Sequence, residues 1–189
     1  MINNLRMSQK TEKLLIANHH FSTPVDVFGL IQDMGIELTR AKIEPEMSGC
    51  IKILGDQASI IVNSAHHLHR QRFTAAHELG HYVLHRGSSE ELLFEDSSFS
   101  KAIVDRRRDG VRRVFNRDRV SEQGTNQIEI EANRFASALL MPETLIEEMV
   151  LKLNIDITDD SDIKRLSKRF LVSEQAMIHR ITNLGITFL

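Results

Sequence analysis

The stretch that most restricts this chain is HELGH, residues 77–81, inside a segment from about Leu68 to Arg86 whose apolar residues recur at helical spacing. Four residues make just over one helical turn. His77 and His81 therefore project from one face, near enough to share a single ion. Glu78 stands about 100° around the helix, where a carboxylate flanks such an ion and can take a proton from a water that the ion activates. Two histidines are an incomplete set, because a catalytic zinc site normally uses three protein ligands and a water. The fold must carry a third ligand to this face from elsewhere in the chain. The same face holds Phe73, Ala76, Gly80 and Leu84. Gly80 lowers helix propensity by about 1 kcal/mol relative to alanine, so it predicts a close backbone approach, with a substrate strand beside the ion as one candidate.

Several histidines compete for the third place. His85 continues the row, but it lies about 12 Å along the helix from His77, too far for both to reach one ion. It is read as a partly buried or solvent-facing histidine near the helix end. His66, His67 and His69 read as loop and first-turn residues, and His19, His20 and His179 have no matching partner in sequence. The segment IEIEANRFASALLMP, a helix stopped by Pro142, offers a better candidate. With Glu129 at 0°, Ala132, Asn133, Ala136 and Leu140 fall within about 60° of it, a small face able to pack tightly on another helix. Glu129 is the preferred ligand, and Asn133, one turn later, can hydrogen-bond a metal-binding histidine. Glu131 stands about 160° away on a more polar side and is kept as the alternative ligand.

The rest of the chain reads as α+β, a small mostly antiparallel sheet packed on the HELGH helix with further helices C-terminal to it. Helices are expected over about Ser8–His20 and from Pro24 to Met34, the latter capped by Ser22 or Thr23 and ended at Gly35. Ile36–Arg40, CIKIL (50–54) and ASIIV (58–62) read as strands, the last two joined by a turn at Gly55-Asp56-Gln57. Gly87 suits the end of the HELGH helix. Residues 88–127 are the least patterned part, acidic and then basic, with SEQGTNQ as a loop. They form a charged insertion that can serve as lid, inhibitory segment or docking arm, or be simply solvated. The division expected is 1–152 for the main domain and 153–189 for a C-terminal helical hairpin packed on it, with Ser173 as cap and Gly185 as terminator.

Composition narrows the functional classes. The net charge of −2 advertises neither nucleic acid nor membrane. One cysteine, Cys50, rules out an internal disulfide framework and suits a reducing compartment. No apolar run reaches the length of a signal peptide core or a membrane span, so a cytoplasmic location is expected. Two other classes compete with catalysis. Residues 163–185 have a helix-turn-helix outline, with Lys164, Arg165, Lys168, Arg169 and Arg180 as phosphate contacts, and an arginine run at 106–113 adds charge. Yet Ala176, Met177 and Ile181 would face inward, which favours a structural hairpin. In the third class zinc is structural and closed, for instance by Cys50, in a toxin or interaction protein. A buried small residue is the preferred reading of Cys50.

RQRFTAAHELGHYVLH followed by EIEANRFASALLMP resembles the ImmA/IrrE-type metallopeptidases, a zincin-like bacterial and phage family. Pro24–Met34 and IIVN (60–63) look like that family's early helix and the strand before its active-site helix. The resemblance implies one Zn²⁺ per chain held by His77, His81 and a glutamate, with Glu78 as catalytic base. Glu129 and Asn133 fall on the family's E-x-x-x-N/D pattern. It also implies a protein substrate, a helix-turn-helix repressor or another regulator of a mobile element, stress or toxin–antitoxin locus. The 48 residues from His81 to Glu129 depart from that pattern as an expanded linker. No oxyanion stabiliser is evident; Arg72 and the upstream histidines are candidates, and Tyr82 points elsewhere.

Overall fold

The structure, a computed structural model, describes residues 4–86, 91–95 and 119–186. In chain order these form α1 (Asn4–Ala17), α2 (Val27–Asp33), β1 (Glu37–Ala41), β2 (Gly49–Leu54), β3 (Gln57–Asn63), α3 (Leu68–His85), β4 (Glu91–Glu95), α4 (Arg119–Leu140), α5 (Glu143–Leu153), α6 (Asp160–Phe170) and α7 (Glu174–Leu184). The class is α+β, as expected from the pattern of elements.

The sheet has the order β1-β3-β2-β4. β2 pairs antiparallel with both β3 and β4, and β1 runs parallel to β3. The β2–β3 hairpin closes with Leu54 opposite Gln57, and Gly55 takes φ 57°, a conformation that costs glycine little. Alternation sets the buried face: Ile51 and Ile53 from β2 and Ala58, Ile60 and Val62 from β3 point inward, while Lys52 and Gln57 point to solvent.

α3 lies against this face, with α4 packed on its other side. Every residue from Thr74 to His81 is buried. A polar stretch at that depth is stable only if its groups find partners. The helix meets the sheet at Gly49, where an added Cβ would stand 2.5 Å from the Ile61 carbonyl oxygen and 2.5 Å from the Thr74 methyl carbon. Gly49→Ala is therefore expected to destabilise the fold by about 1–3 kcal/mol. An unchanged midpoint in urea unfolding would contradict so tight a contact.

Three local expectations need correction. Pro24 does not open α2: Thr23-Pro24 is a cis peptide, and the cap is Asp26, whose carboxylate accepts from Gly29 N at 3.1 Å. SEQGTNQ is not a loop but the first part of α4, which starts at Arg119. Gly124 and its polar neighbours weaken local propensity, yet extending an existing helix costs far less than nucleating one. The stretch read as an insertion also contains β4, which exists by pairing with the edge of β2, a partner that five residues cannot reveal. Gly87, the arginine run and most of 88–127 lie outside the described residues, and with them the test of that stretch as lid or docking arm.

The C-terminal helices share the common core: Ile163, Leu166, Phe170, Met177 and Ile181 join one buried cluster with residues of α1–α5 and the sheet. Ser173 caps α7 by accepting from Ala176 N, and Gly185 ends it at φ 65°. Two buried arginines act as clamps. Arg72 donates to the carbonyls of Val25, Phe170 and Leu171. Arg180 donates to Met141 O and Ser8 Oγ, both at 3.0 Å, and burial pushes its pKa down to about 10. Arg180 is thus removed from the set of phosphate contacts. Among the described residues, no helix is long and apolar enough to cross a membrane.

Candidate metal centre

α3 and α4 pack so closely because Gly80 has no side chain. A Cβ there would lie 3.2 Å from Ala132 Cα, 3.3 Å from Ala132 O and 3.1 Å from Phe135 Cδ1. The close approach expected at Gly80 is therefore made by α4, and not by a substrate strand. Helix-to-helix contact at this point brings the acidic end of one motif over the histidines of the other.

The Nε2 atoms of His77 and His81 are 2.9 Å apart. Glu129 places Oε2 3.1 Å from His77 Nε2 and Oε1 3.5 Å from His81 Nε2. One ligand atom from each of these residues lies within 4.8 Å of the others. A tetrahedral ion with ligands at about 2.0–2.1 Å needs donor–donor edges of roughly 3.3–3.4 Å, which these separations bracket. The donor set, two imidazoles and a carboxylate, suits a divalent transition metal. Burial pushes the Glu129 carboxyl upward, but its contacts with the His77 and His81 rings outweigh that and bring the pKa to about 2. Burial lowers the pKa of His81, favouring the neutral ring that a metal requires.

The orientation of His77 follows from its other nitrogen. Nδ1 stands 3.0 Å from Asn133 Oδ1, an atom that only accepts, so Nδ1 carries the proton and Nε2 presents its lone pair to the group. Asn133 is solvent-exposed, so this side of the group is not sealed beneath the core. Glu78 is buried on the same helix, next to His77.

Other candidates fall elsewhere. Glu131, the alternative ligand, points away from the group: its Oε2 is 3.2 Å from His85 Nε2, and its Oε1 accepts from Gln127 Nε2 at 2.9 Å. His66 Nε2 meets Pro45 O, and the His67 side chain caps α3. Arg72 is occupied as a clamp, and Tyr82 pairs with Arg86. Cys50 sits in β2 and is not among the converging atoms. What the sequence reading missed is the link from His81 to His85, whose Nδ1 atoms are 3.3 Å apart. The i, i+4 spacing of the two was the available signal.

A helix carrying H-E-x-x-H, crossed by a second helix that brings a glutamate to both imidazoles, defines a candidate centre of the metallopeptidase class. Residues 31–182 match the model of the IrrE N-terminal-like domain, a peptidase family, and the chain belongs to it. A curated relative, the radiation response metalloprotease IrrE of Deinococcus radiodurans, is 30% identical over 123 residues, 65% of this chain. The match spans 30% of that relative's length.

Proposed function

We propose that the chain is a cytoplasmic zinc endopeptidase that cleaves a protein regulator, with a helix-turn-helix repressor as the substrate class. The observation that carries this reading is the convergence of His77, His81 and Glu129 beside Glu78 in a chain of this family. When bound, zinc supplies Lewis acidity, polarising the scissile carbonyl and making water more acidic. The protein's groups do the remainder. His77, His81 and Glu129 would hold the ion, and Asn133 would keep the His77 ring in its ligating tautomer. Glu78 would accept the proton of the attacking water and deliver it to the departing amine.

At the start of α3, a cavity of about 350 Å³ is lined by Phe73, Leu140, Val172 and Ala176, with His67, His69, Arg70 and Ser173 completing it. Phe73 stands one helical turn before His77, so a peptide crossing the ion would bring a neighbouring side chain to this cavity. An apolar side chain matches its lining. Ala176→Trp is expected to raise KM for peptides carrying a bulky apolar residue beside the cleaved bond and to leave zinc content unchanged. An unaltered KM would remove the cavity from the reading.

The nucleic-acid alternative is weakened by the burial of Arg180, Met177 and Ile181. Only Lys164, Arg165, Lys168 and Arg169 of its contact set are exposed.

The test is incubation of the zinc-loaded chain with the repressor encoded beside its gene, and with unstructured casein. Cleavage should be abolished by a zinc chelator and restored by added zinc. Cleavage of casein alone would sink the proposed substrate class. Cleavage of neither, or cleavage indifferent to the chelator, would sink the peptidase reading.

A further inference from the structure

We propose that His85 and Glu131 are positioning residues for His81: they hold its ring with the proton on Nδ1 and so direct Nε2 at the metal. This rests on the reading of His77, His81 and Glu129 as ligands. The geometry is a chain of four side chains. Gln127 Nε2 donates to Glu131 Oε1 at 2.9 Å. Glu131 Oε2 lies 3.2 Å from His85 Nε2, and His85 Nδ1 lies 3.3 Å from His81 Nδ1.

With both imidazoles neutral, the form a metal ligand requires, a single arrangement of protons satisfies every link. A carboxylate accepts, so the His85 proton sits on Nε2. His85 Nδ1 is then a lone pair and must accept, so the His81 proton sits on Nδ1. That leaves His81 Nε2 unprotonated, facing Glu129 and His77. Asn133 imposes the same tautomer on His77 by a direct bond.

α4 thus supplies two stripes with i, i+4 spacing. Glu129 and Asn133 form one, a ligand and the orienter of His77. Gln127 and Glu131 form the other, which reaches His81 through His85. His85 lies too far along α3 to join the ligands and Glu131 points away from them, and those placements bring the two together. A carboxylate behind a ligating imidazole raises its basicity and fixes its ring, and loss of such a partner typically weakens metal binding by about 10–100-fold.

The test uses the full chain and two readouts independent of turnover. Long-range proton–nitrogen NMR of the wild type should show His81 with its proton on Nδ1 and His85 with its proton on Nε2. Chelator competition should give zinc binding weakened by about 10–100-fold in His85→Phe and Glu131→Ala. Glu131→Gln, whose amide oxygen still accepts, should recover most of the loss. A purely structural role would lower the unfolding temperature of these variants without moving the zinc affinity. His81 protonated on Nε2, or zinc affinity in folded His85→Phe within about twofold of wild type against the loss expected, would overturn the proposal. Wild type that binds zinc and cleaves while His85→Phe is unaffected sinks this inference alone. Wild type that binds no zinc sinks the ligand reading and this inference with it.

Discussion

Glu78→Gln is expected to lower kcat/KM for peptide cleavage by about 10²–10⁴-fold, with zinc still bound at one ion per chain. Glutamine keeps the size and hydrogen-bonding reach of the side chain but cannot take a proton from water. Since Glu78 lies outside the three-residue ligand group, metal affinity should hardly change. The loss should appear in kcat, because the proton moves only as the transition state forms. A variant that retains zinc and cleaves at the wild-type rate would show that Glu78 is not the base. A variant that loses zinc would place Glu78 among the groups that hold the ion.

Gly80→Leu is expected to damage fold and centre together. Even a Cβ at this position meets the backbone of α4 at 3.2–3.3 Å, and backbone cannot rotate aside as a side-chain end can. The helices must part to admit the larger group, at a stability cost of about 3 kcal/mol, or roughly 6–12 °C of unfolding temperature in a domain of this size. Parting them carries Glu129 and Asn133 away from the histidines, so zinc affinity should fall by at least about tenfold. Gly80→Ala serves as the graded control, since its Cβ needs a shift of only a few tenths of an ångström. Calorimetry and chelator competition on the two variants separate the effects. If Gly80→Leu melts and binds zinc like wild type, the helix contact does not govern the centre.

Much of this was legible from local pattern. The strands at 50–54 and 58–62 alternate apolar and polar residues because one face is buried, and the two-residue turn between them has a glycine where φ must be positive. His77 and His81 declare a shared helix face by spacing alone. Glu129 emerged over Glu131 because Ala132 and Ala136 mark the side of α4 that packs closely, and that is the side laid on α3. Other features failed locally for stated reasons. β4 depends on main-chain pairing with β2, and the first turns of α4 depend on a helix held elsewhere. The Asp26 cap was hidden by a proline two residues earlier that looked like a better start.

By itself, the amino-acid sequence determined what depends on one helix or one hairpin: the HELGH face, the exclusion of His85 as a ligand, the α+β class, and the paired positions 129 and 133. These follow from 3.6- and 2-residue periods, which act over a few residues. Only the tertiary structure decided that Gly80 serves α4 and not a substrate strand, that Arg72 and Arg180 are internal clamps, and that Glu131 reaches His81 through His85. Each of those outcomes turns on which surfaces meet across 39 to 98 residues of chain, as with Arg180 and Arg72 in their hydrogen bonds to Met141 and Phe170 or His85 with Glu131. Periodicity carries no information about such meetings, because burial and hydrogen-bond satisfaction select them only once the whole chain has packed.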